Sequence, residues 1–229
     1  MQSKIKLTKR QVKEDRFTTF MLTSKDKLQG ELEDNWQYYV IGLAVVVVLI
    51  WALAWQSDRQ SVKDFEAVEA LSRAQSNYLS GGDKQVAILE FNQILEKYGN
   101  TDAAGSATFV LGNLNLETRN YSEAIRYYQA YLDFGGDDLD RAAAYAGIAA
   151  AQEDQGMYAE AAANFVKASG ACHNSPLVPD YELGAMRNYL ANGDVAQAEA
   201  RLAILDEKYG DTEFVNRGKR LLAEKRSGE

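Results

Sequence analysis

A chain of 229 residues with 46% hydrophobic and 10% aromatic residues can bury a core and is too apolar to be disordered. Its net charge of −8 argues against a nucleic-acid surface, which needs clustered Lys and Arg. One cysteine, Cys172, rules out an internal disulfide, and two prolines, Pro176 and Pro179, leave helices almost uninterrupted.

Residues 1–34 form a charged arm that holds Lys4, Lys6, Lys9, Arg10, Lys13, Arg16, Lys25 and Lys27. Between these charges Val12, Phe17, Phe20, Met21, Leu28 and Leu32 recur at near-helical spacing. Such a stripe suits the membrane interface or a partner subunit, and equally a plain tether.

From Asn35 to Ser57 the chain carries no formal charge. A helix of this length covers about 34 Å, against a hydrocarbon core of ~30 Å. The run Val45-Val46-Val47-Val48-Leu49-Ile50 lies at its centre, with Trp36, Tyr38 and Tyr39 at one end and Trp51 and Trp55 at the other. Aromatics at both edges match the headgroup belts of a spanning helix. Ala52-Leu53-Ala54 has the spacing of a signal cleavage site, but the mixed-charge arm is long for a signal n-region. Residues 35–57 therefore read as a transmembrane helix in contact with the lipid bilayer. The basic residues of the arm outnumber Arg59, Lys63 and Arg73 on the far side. Lys and Arg resist translocation, so the arm is expected in the cytoplasm and the rest outside, in the periplasm of a bacterium.

Residues 58–67 read as a connector, and 68–212 as a repeat of period 37. Ala87, Ala124, Ala161 and Ala198 stand 37 apart, and a large apolar residue follows four positions later at Phe91, Tyr128, Phe165 and Leu202. Ile94, Tyr131, Ala168 and Leu205 come three positions beyond. Gly82, Arg119, Gly156 and Gly193 precede the alanines by five and mark turns. Glu96-Lys97-Tyr98-Gly99 recurs three periods later as Glu207-Lys208-Tyr209-Gly210. Each unit reads as two helices, A and B, whose close crossing demands the small residue. In the second unit they are expected at about 103–118 and 121–134, with Ala103 in an exposed connection. Residues 213–229 read as a capping helix and tail. Asp211-Thr212 supplies the N-cap, and Phe214, Val215, Leu221 and Leu222 lie on one side.

No constellation of side chains for catalysis stands out in the sequence. Cys172 and His173 are adjacent in sequence, and no second Cys or His exists to build a metal site. Gly81-Gly82 and Gly135-Gly136 mark turns and lack the flanking residues of a phosphate loop. The expectation is a chain that is no enzyme and needs no cofactor, metal or nucleic acid.

Leu111-Gly112, Ala124 and Tyr128, together with Tyr78, Ala87 and Phe91, resemble the tetratricopeptide repeat (TPR), whose unit is normally 34 residues. Units three and four carry Ile148-Ala149 and Ala185-Met186 in place of Leu-Gly. The resemblance implies an all-α fold: one transmembrane helix followed by a TPR-like α-solenoid of four helix-turn-helix units and a C-terminal capping helix. It also implies that helix A lines a protein-binding groove. By alignment the groove positions are Ser72, Ser76, Leu79, Phe109, Asn113, Leu116, Ala146, Ala150, Glu153, Leu183, Arg187 and Leu190. That surface suits an apolar or helical peptide, although Leu79, Leu116 and Leu190 are equally placed to pack on the next unit. A carboxylate clamp, known in the family, is not expected because Phe109 stands where its Lys would be.

Arm, span and external repeat domain together resemble the ancillary Sec-translocon subunits of bacteria. That resemblance implies a scaffold in the inner (plasma) membrane holding exported chains, a chaperone or a translocon partner. The alternative is a permanent subunit bracing a large respiratory or photosynthetic membrane assembly.

Overall fold

A computed structural model describes the backbone of residues 9–228, with side chains described for 36–38, 40–57 and 59–228. Among the described residues every element is a helix: α1 (Lys9–Leu79), α2 (Lys84–Tyr98), α3 (Asp102–Glu117), α4 (Tyr121–Phe134), α5 (Asp138–Asp154), α6 (Tyr158–Ala171), α7 (Val178–Ala191), α8 (Val195–Tyr209) and α9 (Glu213–Ser227). The chain divides into two compact units, Met1–Ser61 and Val62–Glu229.

In the first unit the described part is a helix whose apolar side chains have no cover. Val45 to Ile50, Trp51, Leu53 and Trp55 are all at least half exposed. The segment that starts at Trp36 is long and apolar enough to cross a membrane, and none of its apolar stretch is buried. The apolar stripe of the arm, Val12 to Leu32, lies outside the residues whose side chains are described.

The second unit is the repeat array. The end of α1 pairs with α2, α3 with α4, α5 with α6 and α7 with α8, and each helix B also packs on the next helix A. The four spaced alanines, Ala87, Ala124, Ala161 and Ala198, are at most 3% exposed. Phe91, Tyr128 and Phe165, one turn on, fill the space between their own pair and the following helix. Their seats explain two glycines that pattern reading passed over. A Cβ on Gly147 would stand 2.4 Å from the Tyr128 ring, and one on Gly184 would stand 2.9 Å from the Phe165 ring. Gly147 and Gly184 are themselves 37 apart, so close packing repeats with the same period.

Turns within units carry a left-handed residue: Gly81, Arg119, Gly156 and Gly193, with φ of 95°, 62°, 75° and 84°. In the first repeat of the array, repeat unit one, this is Gly81, not the expected Gly82, because the A–B loop there is one residue longer. Side chains of Asp83, Thr101, Asp137 and Asp194 cap the N-termini of α2, α3, α5 and α8. Ala103 is a correction: it lies in the first turn of α3 and is buried at 4% exposure against the α2 cluster.

Helix α9 closes the array. Val215 packs with Leu183 and Leu205, and Leu222 packs with Met186, Leu190 and Ala198. Thr212 is its N-cap residue by backbone geometry, but its hydroxyl makes no capping bond. The N-cap is therefore positional only, and Asp211 instead accepts a weak contact from Asn216.

Candidate functional site

Helix A of each unit supplies the positions expected to line a groove, and the structure sorts them into three sets. Ser72 and Ser76 are exposed, and Ala146 and Ala150 are half-buried. These four present small surfaces that a ligand backbone could approach closely. Leu79, at the end of α1, is 81% exposed and covers nothing.

The second set is occupied by internal contacts. Phe109 packs edge-on against Tyr128 and Tyr131, with ring centres 5.7 and 5.1 Å away. Asn113 accepts a 2.6 Å hydrogen bond from the Tyr128 hydroxyl. Burial drives the Tyr128 hydroxyl well above the ordinary tyrosine range, so it stays protonated and keeps donating. Leu116 packs on the same cluster as Phe109. These three residues hold unit two against unit three while showing part of their surface outward.

The third set is a correction. Leu183 and Leu190 are buried, at 3% and 5% exposure, under α8 and α9. In the last unit the capping helix takes the space that a ligand would need, so neither leucine lines a groove.

Glu153 and Arg187 form one pair across units three and four. Arg187 donates from Nε and Nη2 to the two oxygens of Glu153 at 2.6 and 2.7 Å. Burial pushes the Glu153 carboxyl up, but hydrogen bonds from Arg187 and Asn188 and the Arg187 charge outweigh it, leaving the pKa below the ordinary range. The same repeat position is leucine in the other units, at Leu79, Leu116 and Leu190.

A related set of contacts links helix B of one unit to the end of the next helix A. Lys84 lies 2.9 Å from Glu117, and the Tyr78 hydroxyl donates to the same carboxylate. One period on, burial and then the neighbouring Asp154 carboxylate raise the pKa of the Tyr121 hydroxyl. Sequence reading missed these because their partners are 33 to 39 residues apart.

A cleft of about 300 Å³ opens between α1 and α2. Its rim carries Arg73, Asn77, Glu90, Gln93 and Lys97, and the equivalent positions of unit two are Val110, Leu114, Tyr127, Ala130 and Phe134. Unit two buries Leu114 and Tyr127 beneath α2. In unit one the rim satisfies itself: Asn77 donates to Glu90, Arg73 pairs with Glu69, and Lys97 pairs with Glu66. A polar, self-paired face is how a repeat array ends without exposing a sticky surface.

Among the described residues no group of His, Cys, Asp or Glu could hold a metal ion. Cys172 is buried and its thiol pKa is pushed up, mainly by burial, which makes it a poor nucleophile.

No protein-family model matches this sequence, and no curated protein matches it. Solved structures do. A tetratricopeptide repeat protein from Parabacteroides merdae superposes with a TM-score of 0.59 at 14% identity, over 71% of this chain and 60% of that one. A Podosopora anserina protein with nearly identical TPR-like repeats superposes with a TM-score of 0.53 at 16% identity, over 71% of this chain and 86% of that one. The chain thus spans less than two thirds of the Parabacteroides merdae protein. The fold is TPR-like, an all-α array of helix pairs.

Proposed function

We propose that the chain is a membrane-anchored protein-binding scaffold. In this reading residues 35–57 span the bilayer, the arm 1–34 is cytoplasmic, and the repeats at 68–212 with the cap at 213–229 face the other side. In a bacterium that side is the periplasm. The array there holds an exported chain, a chaperone or a translocon partner near the membrane. The observation that carries this is the unclothed apolar helix of the first unit in the same chain as a closed TPR-like array. The small, accessible row of Ser72, Ser76, Ala146 and Ala150 supports helix A as the face that receives protein.

Photo-crosslinking residues at Ser76 and Ala150, in cells, test it. Both should capture protein, whereas Glu123 and Gln197, exposed on helix B, should capture little. Equal capture from both sets would sink groove binding.

One observation favours the bracing-subunit alternative. Val86 and Leu89 are 53% and 64% exposed on α2. The same positions are Glu123 and Arg126 in unit two. An apolar outer face on unit one would suit a permanent contact outside the groove.

A further inference from the structure

We propose that Trp55 and Arg59 form a binding site for the phosphodiester headgroup of a membrane phospholipid. The proposal rests on the reading of residues 35–57 as a span.

Trp51, Trp55 and Arg59 are spaced by four, so they stand one above another on one helix face. The two indole planes lie within 4° of parallel with ring centres 6.1 Å apart. The Arg59 guanidinium carbon sits 3.8 Å from the centre of the Trp55 ring. The uncharged stretch ends at Ser57, so this ladder crosses its far end. Trp51 and Trp55 are 67% and 50% exposed, and their flat faces lie where acyl chains give way to headgroups.

A guanidinium stacked on a ring uses its face and leaves its edge of N–H donors open. Its donors therefore point outward from a pinned position at the membrane boundary. A fork of N–H groups matches two oxygens of a phosphodiester, and the partly dry setting strengthens that contact over one in bulk water. The Trp55 ring reduces the freedom that the long arginine side chain would otherwise lose on binding. Phospholipid phosphate is the anion present there at high local concentration. A net-negative headgroup should be held more tightly than a zwitterionic one, since Arg59 adds a full charge near the surface.

The test uses the full-length chain in nanodiscs of equal phosphatidylglycerol and phosphatidylcholine, with retained lipids counted by native mass spectrometry. Wild type should keep phosphatidylglycerol, and Arg59→Gln should weaken that retention about fivefold. Arg59→Lys keeps charge but loses the planar fork, so it should fall between them. Inorganic phosphate in excess should not displace the lipid. Equal retention by wild type and Arg59→Gln, with both chains still in the nanodisc, would overturn the site. Displacement by inorganic phosphate would also overturn it, in favour of a free-anion site. Failure of the wild-type chain to enter the nanodisc would instead reject the span, and this proposal with it.

Discussion

Arg187 on α7 grips Glu153 on α5 through two hydrogen bonds of 2.6 and 2.7 Å, and so joins helix A of unit four to helix A of unit three. The Glu153 side chain is 24% exposed and that of Arg187 45%, so solvent still screens the pair in part. A double-mutant cycle with Glu153→Gln and Arg187→Ala, read from thermal unfolding of the full chain in detergent, should give a coupling of about 1 kcal/mol. Arg187→Ala alone should cost more than Glu153→Gln alone, since it leaves a mostly buried carboxylate without its partner. The reverse order would show that the pair does not hold the units together.

The same carboxylate, with Glu117, should make the array acid-sensitive. Hydrogen bonding from Lys84 is the largest influence on Glu117 and, against some burial, holds its pKa below the ordinary 4.5. Glu153 is likewise lowered, its hydrogen bonds outweighing burial. A depressed folded pKa means stability that is present above the unfolded value and lost as pH falls through the folded one. Melting temperature should therefore hold from neutral pH down to about pH 5 and fall below about pH 4. Glu117→Gln with Glu153→Gln should flatten that fall, and an unchanged acid limb would refute the assignment.

The sequence carried the fold because the TPR-like unit rests on local spacing. The four alanines, the aromatic one turn on and the turn glycines are each visible within a single unit, and all four alanines are buried as the spacing requires. The groove was less legible, because exposure depends on what lies across from a residue. Leu183 and Ala146 hold the same repeat position, yet α9 buries the first and leaves the second half open. Glu153 and Arg187 stood in the sequence only as two separate groove positions. Their pairing across 34 residues depends on how far the units tilt, which no spacing records.

Gly147 tests the packing between units. Alanine there would bring its Cβ to 2.4 Å from the Tyr128 ring, which is itself held by the hydrogen bond to Asn113. Gly147→Ala should overpack this seat and cost ~1–3 kcal/mol. Gly170, within α6, has open space around its would-be Cβ. Gly170→Ala should instead be neutral or stabilise by up to about 1 kcal/mol through helix propensity. Equal melting temperatures for the two variants would place the Tyr128 ring elsewhere.

Arg119 is the one non-glycine residue with positive φ among those described, at 62°. Its equivalents in units three and four are Gly156 and Gly193. An L side chain in that region costs roughly 1–2 kcal/mol, part of which glycine gives back through the greater freedom of the unfolded chain. Arg119→Gly should therefore raise stability by about 0.5–1 kcal/mol, read as a higher melting temperature. A lower one would mean that the arginine makes a contact that outweighs the strain.

The outer face of α2 separates the two readings of the function. Val86 and Leu89 stand where unit two has Glu123 and Arg126, residues that pair with each other at 2.6 Å. Changing Val86→Glu together with Leu89→Arg rebuilds that surface on unit one. Both positions are exposed, so stability should stay within about 0.5 kcal/mol of the parent. If the groove of helices A binds the partner, capture from a crosslinker at Ala150 should persist unchanged in this double variant. A permanent subunit would instead bury Val86 and Leu89 against its neighbour, and two charges there would break the contact. The partner would then be lost from the detergent-extracted complex while the chain itself remained folded. Persistence of Ala150 crosslinks is the expected result, and their disappearance with an unchanged melting temperature would move the binding face from the groove to α2.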